Sequence, residues 1–194
     1  MYGKKLAIFS SLLLIGIMGY FCSCASASAS GKKQLFAYLT NSSKYILLPP
    51  EGIENPMDMV QQISASYGDN DYFFIAWVKA NKTGIDITLL NEFGANMGEL
   101  SYRDGEVFFS SLVFPGSVKP EYVVADFQLC FYNAQLLRDA LKDCGLSIED
   151  TDTGRRILQK GTVIIEIEKN SGFVRLVNHL RGYAYTLEGE FSGR

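Results

Sequence analysis

The sequence of 194 residues is poor in the side chains that most enzymes and metal sites use: it has one histidine and four cysteines. A serine or cysteine hydrolase needs a base beside its nucleophile, and only His179 could serve. Zinc needs three or four ligands, so a site here would require carboxylates. Gly-x-Ser-x-Gly, His-Glu-x-x-His and Walker motifs are absent. We therefore expect a protein that is not an enzyme and uses no metal or other cofactor.

An excess of positive charge is also lacking. The net charge of the chain is −3, and residues 24–194 carry 16 basic and 21 acidic residues. Because nucleic-acid binding depends on basic surface, this balance predicts no nucleic-acid partner. Hydrophobic residues make up 47% and charged residues 20% of the chain, with a mean hydropathy of +0.06. These values are typical of a globular domain and exclude a disordered chain and a multi-span membrane protein.

One long apolar run stands at the N-terminus. Lys4 and Lys5 precede 16 uncharged residues, from Leu6 to Phe21. A membrane-spanning helix needs about 20 apolar residues, so this run is short for a span. A basic start, an apolar centre and small residues after it are the layout of a secretory signal. The sequence therefore predicts a signal peptide over residues 1–23.

The end of this signal resembles a bacterial lipobox, in which an apolar residue stands three positions before a cysteine and a small residue directly before it. Phe21 and Ser23 hold these positions relative to Cys24. Cys22 is the rival acceptor, but bulky Phe21 precedes it. We expect acyl chains on Cys24 to anchor the protein to a membrane. An uncleaved N-terminal helix anchor and ordinary signal cleavage are the alternatives.

The residues after the expected anchor indicate a tether and a location. Residues 24–33 are mostly alanine and serine, which is typical of a flexible linker. No aspartate follows Cys24, and by resemblance to the sorting rule of enteric bacteria the protein would go to the outer membrane rather than remain in the inner membrane. The expected location is the bacterial cell envelope, lipid-anchored and facing the periplasm.

Residues 34–194 are predicted to form one β-rich domain. Apolar residues alternate with polar ones in several runs, such as Ile85, Ile87 and Leu89, and clusters of Gly, Asn and Asp separate the runs. Asp104-Gly105 between two apolar runs is a strong hairpin signal. Short strands with short turns predict an antiparallel meander, sandwich or barrel.

Two segments depart from this alternation. Asp71 to Ala80 is apolar at successive positions, which predicts a central strand covered on both faces. Glu121 to Cys144 has helical spacing, and Asn133 is expected to cap a second helix. About eight strands with one helical segment to cover them leave either an apolar cavity, if the sheet curls partway, or a fully packed sandwich.

Short motifs from about Leu47 onward add a resemblance. They occur in the order Leu48-Pro49-Pro50, Gln61-Gln62, Leu89-Leu90-Asn91-Glu92-Phe93-Gly94, Asp126-Phe127-Gln128-Leu129, Arg156-Ile157-Leu158, Val174 to Asn178 and Gly182-Tyr183. This order resembles a family of bacterial lipoproteins of unassigned function that look like LolB, the outer-membrane receptor for lipoproteins. The resemblance implies a curved antiparallel sheet, or unclosed β-barrel, with a helical lid, and acyl chains of lipid or lipoprotein as the bound partner.

Candidate site residues follow from these expectations. The residues expected to line the cavity, with ordinary core as the alternative, are Phe74, Trp77, Phe108, Phe127 and Tyr183. Arg156 would meet a lipid headgroup at the rim, or instead form a salt bridge. Cys130 and Cys144 would form a disulfide or remain buried thiols. The leading hypothesis is acyl-chain binding for transfer to or at the outer membrane. The alternative is an envelope scaffold without a cavity, whose protein partner the sequence does not identify.

The lipid anchor is directly testable. Cys24→Ser should abolish incorporation of a labelled fatty acid into the protein in a bacterial host, because the acceptor thiol is removed. Cys22→Ser serves as the control and should leave the label in place. If Cys24→Ser is still labelled and Cys22→Ser is not, the anchor belongs to Cys22.

Overall fold

The structure of the protein is a computed structural model that describes residues 34–112 and 118–191. The predicted signal peptide, Cys24 and the predicted tether lie outside these residues. The described strands are β1 (Phe36–Tyr38), β2 (Lys44–Ile46), β3 (Met57–Tyr67), β4 (Asn70–Asn81), β5 (Gly84–Leu90), β6 (Asn96–Arg103), β7 (Glu106–Ser111), β8 (Ser147–Thr151), β9 (Gly154–Gln159), β10 (Thr162–Lys169), β11 (Phe173–Asn178) and β12 (Tyr183–Glu188). A 3₁₀ turn spans Pro50–Gly52, and the helices are α1 (Pro120–Phe131) and α2 (Ala134–Asp143).

Ten strands form one antiparallel sheet in the order β7-β6-β5-β4-β3-β12-β11-β10-β9-β8. The sheet consists of two meanders: β3–β7 precede the helices in the sequence, and β8–β12 follow them. The two meanders are joined where β3 pairs with β12. The outermost strands β7 and β8 do not pair with each other, so the sheet is open. The expected fold, a mainly β protein with an unclosed antiparallel sheet and a helical pair, is confirmed.

The hairpin predicted at Asp104-Gly105 joins β6 to β7. Asp104 has φ 51° and Gly105 has φ 75°, and Arg103 pairs with Glu106 across the turn. Two successive positive φ values define the primed turn that fits the twist of a two-residue hairpin, and Asp-Gly is a favoured pair for it. The local sequence therefore fixes this connection.

The expectation for β4 is wrong in one respect. Ala76, Val78 and Ala80 are buried, but Phe73 is 61% exposed and Trp77 is 46% exposed. The Trp77 indole Nε1 donates a hydrogen bond of 2.8 Å to Asp58 Oδ1 on β3. Aromatic side chains stabilise the solvent face of a sheet through neighbours on adjacent strands. An apolar residue at every position therefore does not require cover on both faces.

The helical pair lies where the sequence predicts it. Pro120 begins α1, as suits the first helical turn, where an N–H group is dispensable. The Asn133 side chain accepts hydrogen bonds from the backbone N–H groups of Gln135 and Leu136, which caps α2. The predicted cap is therefore confirmed.

Helix α1 is buried on nearly every side. Seven consecutive residues, from Val124 to Cys130, are buried. The sheet lies on one side of the helix, and the β1–β2 hairpin also contacts it. A helix that is buried on all sides is mostly apolar, and each polar group on it needs a hydrogen-bond partner. Gln128 is such a polar residue on α1.

Gln128 ties the segment after β2 to α1. Its Oε1 accepts hydrogen bonds of 3.0 Å from the Leu48 backbone N–H and the Tyr45 hydroxyl. Its Nε2 donates a 2.7 Å hydrogen bond to the Leu48 carbonyl oxygen. One buried amide thus pairs with both backbone groups of Leu48, which fixes the N-terminal segment of the domain against the helix.

Removing this amide should destabilise the fold. Gln128→Leu leaves the Leu48 N–H and the Tyr45 hydroxyl buried without their acceptor, at an expected cost of at least about 2 kcal/mol in the free energy of unfolding. Gln135→Leu on the exposed part of α2 is the matched control and should change stability little. Urea unfolding measures both variants, and equal stabilities would contradict this role for Gln128.

Candidate ligand-binding site

A cavity of about 230 Å³ lies between α1 and the sheet. The helix contributes Val123, Asp126, Phe127 and Phe131 to its walls. The strands contribute Gln61, Ile63, Ala65, Phe74, Val78, Ile87, Leu89, Glu99, Leu100, Phe109, Tyr183, Tyr185 and Leu187. Most of these side chains are apolar, so the walls favour a hydrocarbon occupant.

The dimensions of the elements explain the space. Strands lie about 4.8 Å apart, so ten of them extend over roughly 43 Å. A helix with its side chains is about 10–12 Å across, so two helices cover about half of that width. Beneath α1, the inward-facing side chains of the sheet fill the space only in part. The cavity is what they leave open there.

Three of the five residues predicted to line the cavity are in its wall: Phe74, Phe127 and Tyr183. Whether they contact a ligand stays a prediction. Trp77 and Phe108 lie outside the wall, and Phe108 is 59% exposed. Successive residues of a strand face opposite sides of the sheet, so Phe109 lines the cavity where Phe108 was expected. The prediction is therefore wrong for Trp77 and Phe108.

The remaining predicted residues have structural partners instead. Arg156 Nε lies 2.8 Å from Glu166 Oε1 in a salt bridge and does not line the cavity. This corrects the headgroup-rim prediction in favour of its alternative. Cys130 and Cys144 are free thiols, which corrects the disulfide. Cys130 Sγ lies 3.9 Å from the Tyr185 hydroxyl, whereas Cys144 Sγ donates to the Leu141 carbonyl oxygen at 3.2 Å, so the two side chains have separate surroundings.

A buried carboxyl group faces the cavity from α1. The Tyr183 hydroxyl donates a 2.7 Å hydrogen bond to Asp126 Oδ2, and Asn178 Nδ2 donates to the Tyr183 hydroxyl at 3.2 Å. Burial raises the pKa of Asp126 from 3.8 to about 7, although the Tyr183 hydrogen bond and the charge of Arg181 lower it. Burial and the neighbouring Asp126 carboxyl raise the pKa of Tyr183. Tyr183 therefore keeps its proton and donates the hydrogen bond to Asp126.

A second buried polar group faces the cavity from β3. Gln61 is 1% exposed, and its Nε2 lies 3.1 Å from Met59 Sδ. Its carbonyl oxygen Oε1 has no hydrogen-bond partner in residues 34–112 and 118–191. Buried acceptors are rarely left unpaired in folded proteins. Gln61 is therefore the part of the wall that lacks a partner within the protein.

Neither Gln61 nor Asp126 is among the residues that the sequence predicts to line the cavity. Gln61 occupies an inward position of its strand, in register with Ile63 and Ala65. Asp126 lies on the buried side of α1, beside Phe127. In both cases, a polar residue stands at a position where the periodic pattern expects an apolar one, and this could have indicated a site residue.

Within the described ranges, no group of three or more His, Cys, Asp or Glu side chains is placed to hold a metal ion. Of the helices in those ranges, none has both the length and the apolar character that crossing a membrane requires.

The fold and the site define a class of protein: a β-rich domain with a helical pair, in which an apolar cavity lies between an open ten-stranded sheet and the first helix. A family model described as a protein of unknown function, DUF3261, matches residues 58–189. This chain belongs to the DUF3261 family. The match runs from within β3 to just after β12, so it includes the sheet and both helices. No curated protein matches the chain.

The buried carboxyl of Asp126 predicts a pH-dependent stability. Asp126 holds its proton more tightly in the folded chain, so the folded state loses stability as the pH rises from about 4 to about 7. Between pH 5 and pH 8, the free energy of unfolding of the wild type should fall by roughly 2–3 kcal/mol relative to Asp126→Asn, which cannot ionise. Urea unfolding at several pH values measures this difference. A difference that does not vary with pH would contradict the burial of an ionisable group here.

Proposed function

We propose that this protein is a lipid-anchored envelope protein that binds acyl chains of lipid or lipoprotein in the cavity beneath α1, for transfer to or at the outer membrane. The observation that carries the proposal is the cavity of about 230 Å³ with its largely apolar walls. The resemblance of the motif order to LolB-like lipoproteins supports the same function.

The size of the cavity limits the occupant. Liquid water takes about 30 Å³ per molecule, and a methylene group is of similar size, so there is room for a segment of about eight carbons. Moving such a segment out of water gains about 0.8 kcal/mol per methylene, or roughly 6 kcal/mol before the cost of association. The cavity is somewhat below the range of about 300–1,000 Å³ of typical ligand sites. We therefore propose that part of one chain enters, and that a longer segment needs α1 to move.

The proposed anchor is compatible with this role. Nine residues lie between Cys24 and Gln34, the first described residue, and an extended chain of these ten residue steps reaches at most about 35 Å. A lipid on Cys24 would thus hold the cavity close to the membrane surface. No catalytic group is required, because binding and release of a chain depend on competing apolar environments.

A second candidate function has its own support on the outer face of the sheet. Phe73 and Trp77 of β4 are 61% and 46% exposed. Aromatic residues are enriched in protein interfaces. This face would suit an envelope scaffold that assembles partners without a ligand. The two functions differ in whether the cavity or the outer face is needed.

Filling the cavity separates the two functions. Val78→Phe places a larger side chain in the wall of the cavity. The affinity for an environment-sensitive acyl dye should fall about tenfold or more, because the added ring occupies the space of the acyl chain. Val60→Phe is the matched control, since Val60 lies on the neighbouring strand and is 61% exposed. It should bind the dye like the wild type. Thermal unfolding checks that both variants fold.

The contrary outcome is clear. If Val78→Phe and the wild type bind the dye equally while both are folded, the dye does not occupy the cavity. Loss of envelope complexes on mutation of Trp77, with dye binding intact, would favour the scaffold instead.

A further inference from the structure

The cavity wall contains the polar groups of Gln61 and Asp126 beside the hydroxyls of Tyr183 and Tyr185. Gln61 Oε1 has no partner within the described residues, and Asp126 receives there one hydrogen bond, from Tyr183 to Oδ2. Glu99 also borders the cavity, but its carboxylate is exposed and accepts a hydrogen bond from Asn96 Nδ2. No Lys, Arg or His is among the lining residues in the described part of the chain. An occupant with a polar group is therefore offered acceptors and no cation.

Two cations lie near the cavity, each over an aromatic ring. Arg181 lies over the Tyr122 ring at 5.0 Å and also donates to the Tyr38 carbonyl oxygen at 2.5 Å. Lys169 lies over the Phe131 ring at 5.2 Å, and that ring forms part of the cavity wall. Neither cation lines the cavity, although the charge of Arg181 acts on Asp126 and lowers the pKa of that carboxyl.

Gln61 has the character of a binding residue rather than a structural one. A buried amide oxygen without a partner costs stability in the free protein. A ligand that donates a hydrogen bond would remove that cost. An apolar ligand would leave it in place, and an anion would add repulsion from the Asp126 carboxylate.

From this arrangement we propose that the cavity selects an uncharged acyl lipid that carries a hydroxyl group, with Gln61 accepting its hydrogen bond and the Asp126 carboxylate excluding anionic lipids such as free fatty acids. This inference rests on the proposed acyl-binding function and names the class of lipid. The hydroxyl belongs either to the chain itself or to a glycerol end group, and both present the same donor.

Three simple ligands test the selection at pH 8, where the Asp126 carboxyl is ionised: 1-decanol, its isosteric ether 1-methoxynonane, which lacks the donor, and decanoate. The full-length chain is reconstituted in phosphatidylcholine nanodiscs, and displacement of a fluorescent acyl dye is measured against the ligand concentration in the disc. We expect 1-decanol to bind about tenfold more tightly than either of the others. A comparison of 1-decanoylglycerol with methyl 3-hydroxydecanoate then distinguishes an end-group hydroxyl from one on the chain.

Two variants assign the selection to its residues. Gln61→Met should remove the advantage of 1-decanol over the ether, whereas Gln62→Met, on the exposed face of the same strand, should retain it. Gln61→Met should also raise the thermal unfolding midpoint of the ligand-free protein, which a structural hydrogen-bonding role would not do. Asp126→Asn should strengthen decanoate binding, because the competing charge is removed.

The outcomes that overturn the inference are distinct from those that overturn the proposed function. Equal binding of 1-decanol and the ether, tighter binding of decanoate, or an unchanged preference in Gln61→Met overturns the selection while acyl binding stands. If none of the three ligands displaces the dye, acyl binding in the cavity falls together with the selection.

Discussion

The fold depends on how α1 is held. This helix is buried along seven consecutive residues, and Gln128 pairs with both backbone groups of Leu48 to hold the N-terminal segment against it. The sheet beneath is open and wider than the two helices. The helix therefore covers part of the inward face, and its position sets the size of the cavity. Any movement that enlarges the cavity must involve α1 and the segment fixed to it.

Much of the fold could be predicted from local signals. The Asp104-Gly105 turn, the Asn133 cap and the alternation of the strands each act over a few residues, and the structure has them where the sequence indicates. The exposure of Phe73 and Trp77 could not be predicted, because it depends on which face of β4 meets α1. Alternation of apolar and polar residues identifies the buried face of a strand. A strand such as β4, which is apolar on both faces, shows no alternation, so its exposed face cannot be identified.

The site was harder to predict than the fold. Phe74, Phe127 and Tyr183 follow from the abundance of aromatic residues at inward positions, but adjacent Phe108 and Phe109 face opposite ways, and the sequence alone did not distinguish them. The contact between Asp126 and Tyr183 joins residues 57 positions apart. Such pairings arise from the packing of α1 on β12, which no local pattern contains. The polar groups that give the cavity its chemistry were therefore missed.

The central claim is that the space beneath α1 holds an acyl chain. The most direct test is native mass spectrometry of the domain from residue 34 onward, exported behind a cleavable signal peptide and purified without detergent from the bacterial periplasm, with lipid extraction to identify adducts. The account predicts a bound acyl species in the wild type that is depleted in Val78→Phe and retained in Val60→Phe. A wild-type domain that is folded and free of any lipid adduct, even after incubation with envelope lipids, would contradict it.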